Sequence, residues 1–421
     1  MSQFINTIDL LGDDAVIDSL IERTITEFRD DQITSIGERG FCNCANLVVV
    51  DTPNIQTTGL EAFKNCVLLE EFVNNSIRRN IDLGNRTFQG CTSLKRVRFP
   101  ELVGMHYTGI FDKCTSLLQA DFPSLASITG TNLFKDNTSL KALILRNPQL
   151  CTLNNTNHFT NTPIEAGTGW IYVSGDLVQT YQSATNWSTY KNQFRGILDD
   201  EEALQGIIDE TLVDYENNEI ESIPAYSFYK YTPLKSVKSD SVTQIGGESA
   251  FRGCSSLQSV DLPLVTSIGS HAFRECTNLT SVNMPLATDP GYWAFYSCKN
   301  LVSVSFPSAR RIPQYSFGDS TNLRYADFAN LTGQIQLGAF VNTSLAALVL
   351  RCKDAICTLV NVNAFAGTPI AKSTGFIYVP RALIEDYKVA ENWSTYAAQF
   401  RALEDYTVDG TTTGELDESK I

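Results

Sequence analysis

Residues Thr266–Ala287 read TSIGSHAFRECTNLTSVNMPLA. The spacing inside this stretch is I-x-x-x-A-F-x-x-C-x-x-L-x-x-V-x-(L/F/M)-P, and the same spacing returns along the chain. Its phenylalanine recurs at Phe41, Phe63, Phe88, Phe111, Phe134 and Phe159, then at Phe228, Phe251, Phe273, Phe295, Phe317, Phe340 and Phe365. Within each series the steps are 22 to 25 residues. A fixed period in that range is the signature of a solenoid, in which each unit buries its apolar face only against its neighbours. The chain therefore reads as a stack of near-identical coils, an architecture suited to presenting surface.

A longer period lies over the short one. GWIYV at 169–173 returns as GFIYV at 375–379, and NWSTY at 186–190 returns unchanged at 392–396. Val16–Ile33 (VIDSLIERTITEFRDDQI) likewise matches Ala203–Ile220 (ALQGIIDETLVDYENNEI). Opening segment, repeats and closing segment are all duplicated, with six Phe units in the first copy and seven in the second. The expected organisation is a first capped solenoid over 1–199, a second over 200–407, and an acidic flexible tail over 408–421.

Within a coil, VDLPLV and VSFPSA alternate apolar and polar residues before a proline, the pattern of a short strand. Successive strands are expected to pair in parallel, about 4.8 Å apart, in a ladder that runs unbroken through each copy. Pro100, Pro123, Pro263, Pro285 and Pro307 lack an amide to donate and end the strand at one place each time. The EAF, ESAF and SHAF stretches read as a turn or short helix driving Phe inward. Leu257, Leu279, Leu301, Ile245 and Ile268 complete the interior. The flanks read as caps over the exposed ends: a helix at VIDSLIERTI, a last strand at IYV, and a helix pair in which Trp187 and Trp393 plug the stack.

Cysteine is placed by the same period. Cys44, Cys66, Cys91, Cys114, Cys254, Cys276 and Cys298 each follow a repeat Phe by three, whereas Asn137, Ser320 and Tyr231 hold that slot elsewhere. A slot that tolerates such exchange holds a small buried residue rather than a disulfide partner. The odd total of 11 fits a reducing folding compartment. Cys42/Cys44 and Cys352/Cys357 lack the paired spacing of a zinc finger. No metal site is expected.

Composition narrows the function. The 421 residues are 43% hydrophobic, enough for a large core, and carry a net charge of −15. An acidic chain lacking a Lys/Arg stripe excludes nucleic-acid binding as the expected role. No run is long and apolar enough to span a membrane. The opening MSQFINTIDLLGDDAVIDSL lacks the basic, apolar and small-residue regions of a secretory leader, so Sec-type export is not expected. Chemistry leaves no constellation. His106, His158 and His271 are not repeated between copies and have no triad partners, and the phosphate-binding glycine loops are absent. No catalytic residue and no cofactor are expected, and the chain is read as not an enzyme.

Recognition residues would be those that break the repeat, above all exposed aromatics and arginines. Tyr292 and Trp293 stand where other units carry small residues, and Arg310 and Arg311 follow one coil later. These four are the candidate partner-binding residues. Tyr226, Tyr229 and Tyr231 crowd the first coil of the second copy.

The F-x-x-C-x-x-L core and V-x-(L/F)-P strand, over about residues 33–173 and 220–379, resemble the BspA-like leucine-rich repeat family. The resemblance implies an α/β repeat solenoid: two tandem leucine-rich-repeat stacks, right-handed, with short parallel strands and helical caps. The family includes bacterial surface adhesins that bind host matrix proteins or other cells. Similar repeats occur in virion proteins of phages and prophages. The resemblance thus implies a non-enzymatic recognition or adhesion protein whose partner is a protein or glycan on a cell surface. A phage or prophage virion component and an intracellular scaffold are the alternatives. Synthesis in the cytoplasm is expected, followed by incorporation in a virion or arrival at a surface by a non-Sec route.

Overall fold

A computed structural model describes residues 22–74 and 82–415 of the chain. It divides into two compact units, Met1–Ile197 and Leu198–Ile421. Of the expected opening helix at VIDSLIERTI, residues 16–21 lie outside the described residues, and 22–25 form a turn and irregular chain, not helix.

Each coil contributes one short strand to the main ladder, most add a second strand of two to five residues before the Phe turn, such as Ser35–Ile36 and Ser267–Ser270, and every pairing between strands is parallel. Equivalent residues face one another: Val237, Val260 and Val282 are in register, as are Ala326, Leu348 and Ile377. The middle residue of the three-residue strands points inward, so Phe28, Val50 and Val97 are buried between exposed or half-buried neighbours. This is the alternation expected from the sequence.

The ladder is not continuous, which corrects the sequence reading. In the first unit Glu27–Arg29, Val49–Asp51 and Glu71–Val73 form one sheet, and the strands from Arg96–Arg98 to Phe194–Gly196 form another. In the second unit the split falls between Ser281–Asn283 and Ser303–Ser305. Both splits precede the first coil with Phe two residues after its inward strand residue, at Phe99 and Phe306. The preceding coils hold Asn74 and Met284 there. Phe99 and Phe306 each begin a second column of rings, 6.3 Å from Phe122 and 6.5 Å from Phe328. A ring added to a close-packed interior widens its coil and displaces the strand from its neighbour.

The Phe segment is a turn in most coils, and its backbone explains the repeat. The amides of Arg39, Phe41 and Asn43 donate to Leu60, Ala62 and Lys64 carbonyls of the next coil, while Cys42 and Cys44 donate three residues back. Alternate amides thus bind within the coil and between coils. The residues two before and two after Phe take the left-handed conformation, as at His271 (φ 58°) and Glu275 (φ 66°). The repeat Phe rings stack face to face, with Phe273 lying 5.1 Å from Phe251 and 5.2 Å from Phe295.

The cysteine slot has a hydrogen-bonding role besides its size. Cys66, Cys91, Cys114, Cys254, Cys276 and Cys298 each donate Sγ–H to the repeat Phe carbonyl of the preceding coil, at 3.0–3.2 Å. Ser320 does the same through Oγ at 2.7 Å. Where Thr fills the slot, at Thr162, Thr343 and Thr368, its hydroxyl turns back to the Phe carbonyl of its own coil. Among the described residues all 11 cysteines are free thiols, and burial raises the pKa of the ladder thiols, as at Cys66, Cys91 and Cys276.

The NWSTY pentapeptide closes each stack. Asn186, Trp187 and Tyr190 donate side-chain hydrogen bonds to the carbonyls of Leu153, Cys151 and Thr156. Asn392, Trp393 and Tyr396 do so to Leu359, Cys357 and Val362. Both tryptophans are buried under short helical segments, Val178–Ser183 with Trp187–Tyr190 and Ile384–Val389 with Trp393–Gln399. At the opening of the second unit, helix Glu201–Ile208 is capped by Asp200, whose carboxylate accepts from the Ala203 amide. Beyond the last strand, Tyr406 packs edge-on against Tyr378. Arg351 pairs with Asp327 and donates to the carbonyls of Thr412 and Gly414.

Candidate recognition surface

The position two before the Phe, left-handed in every coil except the last of each unit, forms a ridge along each unit, and the two ridges differ chemically. In the first unit it carries Arg39, Glu61 and Arg86 at φ 57° each in the opening coils, followed by Gly109 and Asn132. Glu61 accepts from Arg39 (2.9 Å) and Lys64 (2.7 Å), and Arg86 lies 3.6 Å away. The Lys64 hydrogen bond, aided by Arg39 against the effect of burial, holds its carboxyl below the usual range. In the second unit the same position carries Tyr226, Ser249, His271, Trp293 and Tyr315, at φ between 52° and 60°. An L-residue held there costs roughly 1 kcal/mol, and bulky rings are uncommon occupants.

The rings stack on one another. Trp293 lies 4.1 Å from Tyr315 at an interplanar angle of 23° and 6.1 Å from His271 at 11°. Tyr296 packs against its flank at 4.8 Å. The Arg274 guanidinium sits over both Trp293 (5.3 Å) and Tyr296 (5.1 Å), a cation–π arrangement. The Tyr296 hydroxyl donates to Asp319, which, with burial, pushes its pKa up to about 12. Burial, and after it the Arg274 and Arg252 charges, lower the His271 pKa. At the end of the row comes Gly338 (φ 67°), where a Cβ would meet the Tyr315 ring at 2.4 Å. The ridge is thus a cohesive aromatic block.

Of the four candidate residues, the structure brings Tyr292 and Arg311 together, with the guanidinium 5.8 Å from the ring centroid. Arg311 also pairs with Asp289 at 3.0 Å. Trp293 is placed elsewhere than expected: both its faces are engaged by the ridge, so it is a packed member of a surface and not a free platform. Arg310 is exposed, and its amide donates to the Thr288 carbonyl. Of the first-coil tyrosines, Tyr231 fills the cysteine slot and donates to the Leu212 carbonyl beneath the cap, while Tyr226 and Tyr229 are buried, ring against ring at 5.7 Å. Arg274, Tyr296 and Tyr315 went unread in the sequence, and His271 was read only as a histidine without a triad partner. Their common signal is the position two before or one after the Phe.

The remaining histidines join no reactive group. His106 pairs with the Thr129 hydroxyl at 2.7 Å. His158 is buried, bonded to Asn154, and its pKa is pushed down by burial to about 4. Among the described residues no group of His, Cys, Asp and Glu is arranged to hold a metal ion, and no helix is long and apolar enough to cross a membrane.

The profile of the BspA-type leucine-rich repeat region matches residues 19–141, 61–168, 211–308 and 247–371. No curated protein matches the chain. Among solved structures, a leucine-rich repeat protein from Bacteroides ovatus is 20% identical, with 80% of this chain and 85% of that one covered at a TM-score of 0.38. One from Eubacterium ventriosum is 21% identical, with coverages of 85% and 87% and a TM-score of 0.40. A leucine-rich cell surface protein from Faecalibacterium prausnitzii is 16% identical, with coverages of 89% and 82% and a TM-score of 0.26.

Proposed function

We propose a recognition role for this chain, which belongs to the BspA-type leucine-rich repeat family. In this reading it is a non-enzymatic protein that binds a protein or glycan on a cell surface, displaying side chains from a rigid scaffold. The observation that carries it is the contrast between the two units. Core, cysteine ladder and NWSTY cap are kept in both, whereas the ridge two before the Phe is ionic over the first three coils of one unit and largely aromatic in the other. Strained backbone carrying large rings is a feature that suits a functional surface. Aromatics and arginine are the residues on which interface energy concentrates. A scaffold ordered before binding loses little entropy on association.

Locating the native protein tests the reading. Producing cells, their culture fluid and pelleted particles are separated and assayed by mass spectrometry. The expected result is protein on the outside of intact cells. Enrichment in particles would make it a virion component, and retention in the cytoplasm would overturn the surface reading.

A further inference from the structure

We propose that the cleft beside Tyr292 binds one neutral pyranose residue of a glycan, an inference that rests on the recognition reading above. The cleft is about 170 Å3 and is walled by Ser267, Ser270, Thr288, Asp289, Tyr292 and Arg311. Drug-sized ligands occupy about 300 Å3 or more, so this space suits a single six-membered ring.

Three of its walls hold one another in place. One Asp289 oxygen accepts from the Gly291 amide at 2.8 Å, and the other receives Arg311 at 3.0 Å. Arg311 in turn lies over the Tyr292 ring. Thr288 is fixed by donating to the Thr266 carbonyl, which leaves its oxygen as an acceptor. Among the described residues the Ser267 and Ser270 hydroxyls add groups with no intrachain hydrogen bond.

This set matches a sugar better than a peptide. A pyranose presents several hydroxyls, each donor and acceptor, around a ring that also has C–H edges. A carboxylate accepts, a guanidinium donates and serine hydroxyls do both, while the Tyr292 ring backs the guanidinium and sets its position. The wall is too polar for an apolar side-chain anchor. One carboxylate paired with one guanidinium leaves no net charge, which selects a neutral sugar over a sialylated or phosphorylated one. A monosaccharide of about 12 heavy atoms at ordinary ligand efficiency binds in the millimolar range.

The test uses the full chain. Methyl glucosides, galactosides and mannosides and N-acetylglucosamine are titrated by saturation-transfer NMR, alongside an array of neutral and sialylated glycans. At least one neutral sugar is expected to bind. Tyr292→Ala and Arg311→Ala are expected to weaken that binding at least tenfold, Tyr292→Phe to keep it within about threefold, and Lys141→Ala at an exposed position of the first unit to leave it unchanged. Circular dichroism establishes that each variant is folded. Binding of no neutral glycan, binding only of sialylated ones, or binding indifferent to Tyr292 and Arg311 would overturn the proposal. Labelled protein applied to intact cells separates the two levels. Cell binding destroyed by protease but untouched by glycosidases removes the sugar and leaves the recognition reading standing, whereas absence of any cell binding removes both.

Discussion

At the scale of single residues, the repeat is held by a few side chains with separable roles. Phe273 is stacked on both sides, and Phe273→Ala is expected to destabilise the second unit by about 3–5 kcal/mol, measured by denaturant unfolding. The Cys slot is governed by its hydrogen bond as well as by its size. Cys276→Ser preserves the bond to the Phe251 carbonyl, as Ser320 shows in its own coil, whereas Cys276→Ala removes it at about 1 kcal/mol or more. Thiol reactivity follows burial: only Cys352 is not buried. A thiol reagent should modify about one cysteine in the native protein and all 11 after denaturation. His158 sets a pH dependence. Its folded pKa, about 4, lies below the unfolded value of about 6.5, so the unfolded chain takes up the proton first. Its contribution is complete above the unfolded value and is lost as pH falls from there toward the folded one. His158→Ala, placing there the residue found at Ala364 in the second copy, should flatten the stability profile across that window. The Phe, Cys and Trp roles were legible because each recurs at a fixed offset. His158 was not, since it occurs in one copy and its burial depends on the neighbouring coil.

At the scale of elements, caps and turns were readable to different depths. The exact return of NWSTY pointed to a cap, and the structure gives the reason: Asn, Trp and Tyr each satisfy a carbonyl at the end of the last coil. Trp393→Phe is expected to lower stability by about 1–3 kcal/mol by leaving the Cys357 carbonyl buried and unpaired. The strand breaks were not legible, because V-x-(L/F/M)-P runs on through Ser281–Asn283 without interruption. What changes there is ring volume in the next coil, and sequence spacing carries no measure of tilt between coils. Val282, half-buried where Val237 and Val260 are buried, marks the consequence. Amides along Ser303–Ser305, which have no strand partner on that side, should exchange faster than those along Ala347–Leu350 by hydrogen-exchange mass spectrometry.

At the scale of the whole molecule, one architecture occurs twice with two different ridges. That contrast was hidden in the sequence because the ridge register is defined by a left-handed backbone, which periodicity does not report. Tyr292 and Trp293 were noticed as exceptions to the repeat. The Trp293 partners Arg274 and Tyr315, and Asp289, which holds Arg311 over Tyr292, come from the turns of the same and neighbouring coils and had no exceptional spacing to reveal them.

The central claim, that the aromatic ridge of the second unit serves recognition and not folding, is tested by replacing His271, Trp293 and Tyr315 together with glycine. Glycine relieves the left-handed backbone while the lost ring contacts, worth about 0.5–1.5 kcal/mol per pair, offset the gain. Binding of the labelled full chain to a panel of intact bacterial and epithelial cells is then compared with its thermal midpoint. The account predicts at least a tenfold loss of cell binding with a midpoint within a few degrees of the parent. Undiminished binding by the folded triple variant would contradict it.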